Sequence, residues 1–390
     1  MKPIVFLNSH PIQYFAPLYK QITQESNIHL SVWYCSDESI KGKIDKGFGK
    51  EVKWDIPMLD GYKFYFLKNN SLKPSIHSGF WGLMNFEVIK KLYHQPKSVV
   101  IIHGWSYFTH IVAIVFAKLF GHKVCLRAET PQNQEQLKSK KLLFLKKIVL
   151  KCLFLFIDEF LYIGKQNYLF YKSFAINEKK LLPVFYCVDN DRFRDVFSNY
   201  SRSSARAKLG LHIEKKIILF SGKYTEKKRP LDLLKAFSKI KNDNVVLVMV
   251  GEGELRHEME RLIKEEKIID NVILTGFINQ SLIPFYYRSA DLFVMSSGMG
   301  ETWGLSVNEA MNFGLPIIVS DLCGCAIDLI EHERNGAIYP VGNIAKLSFY
   351  LDKFISLEED ELNEIELTNF KKLDLYSYHQ IINQLQIIIK

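Results

Sequence analysis

Short apolar runs rich in β-branched residues alternate with helix-patterned segments along most of this chain, and that alternation restricts its fold more than any other feature. The first half carries PIVFLN (3–8), HLSVWYC (29–35), SVVIIHG (98–104), KVCLRAE (123–129), EFLYIG (159–164) and KLLPVFYCVD (180–189). Runs apolar throughout, rather than at every second residue, suit strands buried on both faces, and strands separated by helices form parallel sheets. Residues 190–210, NDRFRDVFSNYSRSSARAKLG, turn polar, and we place a domain boundary there. The alternation then restarts with KIILFSG (216–222), NVVLVMVG (244–251), NVILTG (271–276), DLFVMSS (291–297) and LPIIVSD (315–321). The expected architecture is α/β, with two doubly wound Rossmann-like domains facing across a cleft. The expected domains are 1–195, 205–365 and a terminal helix within 366–390 that packs back on the first domain. A chain of 390 residues suits two domains of ordinary size.

Composition narrows the class. With 48% hydrophobic and 24% charged residues, and no long low-complexity tract, the chain is globular. Its 51 basic against 42 acidic residues give a net charge of +9, which favours anionic partners without choosing among them. The six cysteines show no metal-ligand spacing, Cys323-Gly324-Cys325 being a lone C-x-C, so reduced thiols and no metal are expected. The opening MKPIVFLNSH reads as a first strand rather than a signal peptide, and no stretch approaches the ~20 apolar residues of a membrane span. A cytoplasmic protein is expected.

Ligands of doubly wound sheets bind beyond the carboxyl ends of the strands, so the loops there carry the functional reading. FSGKYTEKKRPLDLLKAF (220–237) leaves a strand through Gly222, and Lys223 and Lys228 can both reach one phosphate-sized site. A solvated lysine face is the alternative. VMVGEGELRHEME (248–260) lacks the third glycine of a dinucleotide fingerprint and adds Glu252 and Glu254, which argues against a dehydrogenase. In GETWGLSVNEAMNFGLPIIVSD (300–321), Ser306 and Glu309 have capping-box spacing, with a helix expected to end at Gly314. Glu309 then has a structural explanation, whereas Glu301, on a glycine-rich turn before the helix, has none. A helix N-terminus beside that turn would offer N–H groups to an anion. Phosphate there, flanked by two carboxylates for hydroxyls, describes a nucleotide sugar.

These segments resemble glycosyltransferase family 4, retaining enzymes of GT-B fold. Glu301 and Glu309 match its E-x7-E pair, and SGKYTEKKRPLDLLKAF resembles its diphosphate loop, with Lys223 where arginine is commoner. The resemblance spans 210–345. It implies that Lys223 and Lys228 stabilise the leaving diphosphate, that Glu301 holds sugar hydroxyls and Glu309 the ribose, and that Gly222, Gly300, Thr302, Trp303, Gly304 and Leu305 line the donor. It further implies a UDP- or GDP-sugar as substrate, no cofactor or metal, retention of configuration, and a glycan or lipid-linked acceptor in bacterial surface polysaccharide assembly. An epimerase of the same fold would share the phosphate site. In the first half, NSHPIQYFAPLY (8–19) resembles a subgroup opening with H-P-I-Q-Y. His10, Gln13, Tyr14, His103, Arg127 and Glu129 are the acceptor-side candidates, with Arg127 and Glu129 standing where the family's usual histidine would fall. LKSKKLLFLKKIVLKCLFLF (137–156) mixes lysines with leucines and phenylalanines, the pattern of a helix lying on an anionic membrane surface, here the inner face. No nucleic-acid module is apparent.

Overall fold

The computed structural model describes residues 2–42, 44–45, 50–51 and 53–390, the two short pairs by backbone alone. The chain divides into two compact units. One comprises 1–43, 56–186 and 378–390, the other 44–55 and 187–377. In chain order the strands are β1 (Ile4–Asn8), β2 (Leu30–Tyr34), β3 (Ile44–Asp45), β4 (Lys50–Glu51), β5 (Phe64–Phe66), β6 (Val99–His103), β7 (Lys123–Arg127), β8 (Glu159–Tyr162), β9 (Leu181–Pro183), β10 (Lys216–Ser221), β11 (Val245–Val250), β12 (Val272–Gly276), β13 (Leu292–Met295), β14 (Ile317–Ser320) and β15 (Gly336–Tyr339).

Among the described residues, the first unit holds a seven-stranded sheet in the order β5-β2-β1-β6-β7-β8-β9, the second a six-stranded sheet in the order β12-β11-β10-β13-β14-β15. Every pairing within these sheets is parallel. In both, the order reverses beside the first strand of the sheet, β1 or β10, the switch point at which doubly wound sheets open toward ligands. The alternation of strands and helices in the sequence is thus realised as two Rossmann-like α/β units.

Central strands are apolar through their middles because helices cover both of their faces. All six residues of β11, Val245–Val250, are buried, as are all five of β1. Each such Val, Ile or Leu contributes about 1.5–3 kcal/mol of burial against about 1–2 kcal/mol of backbone ordering. β5 lies at a sheet edge with Phe64 and Tyr65 exposed, so it lacks the continuous buried run of the central strands.

The polar stretch 190–210 forms two helices, Asn190–Asn199 and Arg202–Leu209, capped by Asp189 and Ser201. Both lie in the second unit, where Arg206 and Arg202 close on the buried Asp291 at 2.6 and 3.0 Å. Residues 44–55 also belong to this unit: Ser281 donates its amide to Asp55 at 3.1 Å, and Trp54 packs against Phe277. The terminal helix Tyr378–Ile388 belongs to the first, with the Tyr378 hydroxyl donating to the Tyr14 carbonyl at 3.0 Å. Among the described residues no helix is long and apolar enough to cross a membrane.

Candidate functional site

In the second unit the loops after β10 and β13 meet. The Lys228 ammonium pairs with the Glu301 carboxylate, and the Lys227 ammonium stands 3.8 Å from the same oxygen. Backbone contacts set this geometry. Gly298 donates its amide to the Lys227 carbonyl at 2.7 Å, and the Ser296 hydroxyl donates to the Lys228 and Arg229 carbonyls at 2.9 and 3.0 Å. The lysine stem passes directly over Gly222, with Cδ 3.5 Å from where a Cβ would sit. Lys223, two residues beyond β10, is half-buried on the same loop.

Burial alone would raise the pKa of Glu301, but Lys228, Lys227 and the neighbouring Ser297 outweigh it and hold the carboxyl below its usual range. At neutral pH the group is ionised and can only accept hydrogen bonds. The glycine turn presents it: Gly300 lies under the Lys227 side chain, and Thr302 and Trp303 follow, with the Trp303 indole donating to Asn308 at 2.8 Å. Gly304 has φ 113° and a Cβ there would lie 2.6 Å from the Met295 sulfur, so only glycine closes this turn.

Two expectations need correction. Ser306 is not an N-cap: the helix is Leu305–Met311, its N-cap is Gly304, and no side chain caps it. Glu309 therefore lies inside the helix, where it accepts a 2.6 Å hydrogen bond from the buried Tyr287 hydroxyl. The physical reason is the left-handed Gly304, which turns the chain into helix one residue before Ser306 can cap. Only seven residues long, that helix has little dipole to offer, so the positive charge here comes from the lysines.

The roles of two features were not read from sequence. Lys227 is one; its only signal was a lysine next to Lys228. The other is Cys323-Gly324-Cys325, which props up the Glu301 turn. Gly324 donates to the Glu301 carbonyl at 3.1 Å and Cys325 to the Trp303 carbonyl at 3.0 Å. A Cβ on Gly324 would stand 1.8 Å from the Thr302 carbonyl oxygen. Burial raises the thiol of Cys323 to about 12 and that of Cys325 well above its usual value, so both are packing groups. No cluster of His, Cys, Asp or Glu able to hold a metal occurs among the described residues. Gly251 of the incomplete dinucleotide fingerprint serves close packing, since a Cβ there would meet the Gly222 carbonyl oxygen at 1.9 Å.

The acceptor-side candidates all lie in the first unit. His10 follows β1, its Nδ1 2.9 Å from the Ser9 hydroxyl, and Gln13 and Tyr14 form the turn into the helix Ala16–Glu25. His103 and Arg127 end β6 and β7, as neighbours in register. Arg127 is buried, its guanidinium over the Phe15 and Tyr186 rings at 5.1 and 4.6 Å and 4.0 Å from the half-buried Glu129. Burial, then Arg127 and His110, push the pKa of His103 well below its usual value, so the ring is neutral. His103 and Arg127 line a small internal cavity with Phe6, Phe15, Ile381 and Leu385.

Residues 201–368 match the family model described as glycosyl transferases group 1. An uncharacterized glycosyltransferase of Methanocaldococcus jannaschii is 30% identical over 205 residues, 52% of this chain and 51% of that protein. The alpha-monoglucosyldiacylglycerol synthase of Streptococcus pneumoniae is 32% identical over 174 residues, 41% of this chain and 39% of that protein. The chain thus matches about half the length, or less, of these curated relatives. Among solved structures, Anabaena Alr3699/HepE in complex with UDP and glucose has the same fold, with a TM-score of 0.75 over 100% of this chain and 99% of that one at 14% identity. The fold of this chain is therefore GT-B, and its residues 201–368 match the family model of glycosyl transferases group 1.

Proposed function

We propose that this protein is a glycosyltransferase that moves a sugar from a nucleotide-sugar donor to a glycan or lipid-linked acceptor, with retention and without a metal, in the assembly of bacterial surface polysaccharide. One observation carries the reading: a buried, ionised Glu301 paired with Lys228 at the strand ends, with Lys227 beside it. As the glycosidic bond breaks, its electron pair goes to a phosphate oxygen, and a preorganised cation stabilises that charge. Lys223 and Lys228 take this role. A diphosphate drawing Lys228 toward itself releases Glu301 to accept sugar hydroxyls, so donor phosphate and donor sugar are read by one pair. Glu309, behind Tyr287, holds the ribose; Gly222 and the Gly300–Leu305 backbone line the donor.

The test is thermal unfolding with UDP, GDP, ADP and their sugar conjugates. A ligand at one hundred times its Kd adds about 2.7 kcal/mol to native stability. One nucleotide should stabilise the native protein, with UDP the first to try because the Anabaena neighbour was solved with it. The shift should vanish in Lys228→Ala and shrink in Lys223→Ala. A shift unchanged in both variants, or none with any nucleotide, overturns the reading.

The acceptor side includes a membrane surface. In the helix Lys140–Phe154, Leu142, Phe144, Leu145, Ile148 and Val149 are 48–65% exposed beside Lys140, Lys141, Lys147 and Lys151. An apolar face flanked by lysines suits anionic lipid, each nearby lysine contributing about 1 kcal/mol. Cosedimentation with phosphatidylglycerol vesicles, but not with phosphatidylcholine, should fall in a Leu145→Ser/Val149→Ser variant. Equal binding by that variant excludes this face.

A further inference from the structure

A groove of about 680 Å³ lies in the first unit beyond the ends of β2 and β5, formed by Cys35–Glu38, Tyr65–Asn70, Pro74 and Glu87. Its size falls within the roughly 300–1,000 Å³ of small-molecule sites. Three carboxylates, Asp37, Glu38 and Glu87, line it against one lysine, Lys68. Lys41 pairs with Asp37 at 2.6 Å and the Lys91 ammonium lies 3.6 Å from the centroid of one face of the Tyr65 ring, so charge at the groove is nearly balanced and favours an uncharged ligand, unlike the lysine-rich loop after β10. The carboxylates are not a metal cage, since no metal-holding cluster occurs among the described residues.

The groups here are ordered. Glu87 accepts from the Tyr65 hydroxyl at 2.6 Å and the Lys68 amide at 2.9 Å, and the nine-tenths buried Glu38 accepts from the Ile76 amide at 2.8 Å. Asn69 is held on both ends of its amide, accepting from Met84 and Ser71 at 3.0 Å and donating to Gly82 at 2.9 Å. Tyr65 itself is 40% exposed. Through the Asn69–Gly82 bond and a 2.6 Å bond from the Ser71 hydroxyl to the Trp81 carbonyl, the rim continues into an exposed aromatic cluster. There Phe80 meets Trp81 edge-on and Trp81 stacks on Phe108 at 5.5 Å, with Phe80 39%, Trp81 59% and Phe86 47% exposed. A large exposed aromatic patch beside a polar groove marks a binding surface.

We infer that this groove binds a neutral saccharide chain, with ring hydroxyls on its carboxylates and amides and C–H faces on Tyr65 and the Trp81 rim. Polar groups already held in place by the protein meet a ligand made of hydroxyls with little further ordering. The inference rests on the glycosyltransferase reading only in naming this saccharide as part of the acceptor.

Saturation-transfer NMR tests it, with neutral tri- to hexasaccharides of α- and β-linked glucose, galactose and N-acetylglucosamine as probes, alongside the same measurement for UDP and GDP. The expected result is transfer to at least one oligosaccharide in the native protein and in Lys228→Ala, with binding weakened about tenfold in Tyr65→Leu and Asn70→Ala. Both of those side chains are exposed and leave the core intact. Nucleotide signals should persist in the groove variants, which separates this site from the donor loop. Failure of every oligosaccharide, or saccharide signals that survive both groove substitutions, overturns the groove whatever the nucleotide result. Loss of nucleotide signals alone would strike only the donor reading.

Discussion

Both units build a parallel sheet with loops gathered at the carboxyl ends of the strands, yet they treat charge in opposite ways. In the second unit the loops after β10 and β13 are stitched by backbone hydrogen bonds around an ion pair, Lys228 with Glu301. In the first, the residues ending β6 and β7 are turned inward: His103 is neutral, Arg127 lies under aromatic rings, and His110 nearby is buried with neither ring nitrogen bonded among the described residues. Identical architecture therefore does not dictate where charge can be used. Local backbone geometry does, by deciding whether a strand-end side chain is held toward or away from solvent.

The comparison breaks most directly at Lys228. Lys228→Ala removes the paired cation from a nine-tenths buried Glu301 and leaves Lys227 at 3.8 Å and Ser297 beside it, and loss of one partner of such a pair costs about 3 kcal/mol. Denaturant unfolding should show that loss; a cost below about 1 kcal/mol would mean that the pair is a surface contact. Gly324→Ala should cost about 2 kcal/mol, because the new Cβ has no room against the Thr302 carbonyl, and it should abolish nucleotide stabilisation by displacing the Glu301 turn. Retained stabilisation would show that the C-x-C turn does not position the site.

For the first unit the lever is pH. Burial lowers the pKa of His110 to about 4, so below 6.5 the unfolded chain takes up the proton first. Stability held above pH 6.5 is lost as pH falls toward 4, about 2 kcal/mol of it by pH 5. His110→Leu should match the native protein at pH 7.5 and exceed it by about that amount at pH 5, as read by melting temperature. Parallel pH profiles would remove His110 from the account. The smallest effect expected is Tyr287→Phe, which deletes one hydrogen bond to Glu309 and should cost about 1 kcal/mol, with weaker nucleotide binding. Unchanged affinity would leave Glu309 a structural residue.

The sequence by itself determined the two sheets, because a strand covered on both faces must be apolar through its middle: β11 is apolar at every position, and β1, β6 and β10 are apolar apart from residues at their ends. Of the edge strands, β9 and β12 were read and β5 and β15 were not; β5 has exposed residues and does not need a continuous apolar run. The loops that meet in the second unit were legible as well, since lysines, glycines and a spaced glutamate pair stand in series after the apolar runs. Which groups touch was not legible. The spacing of Ser306 and Glu309 allowed a capping box, and only the left-handed Gly304 decided against it. The same limit hid the support given by Gly324, whose purpose lies in a carbonyl twenty-two residues away, at Thr302. Periodicity is a property of neighbours along the chain, so it survives in sequence; the distance between an ammonium and a carboxylate, or the space for one methyl group, exists only after the chain has packed.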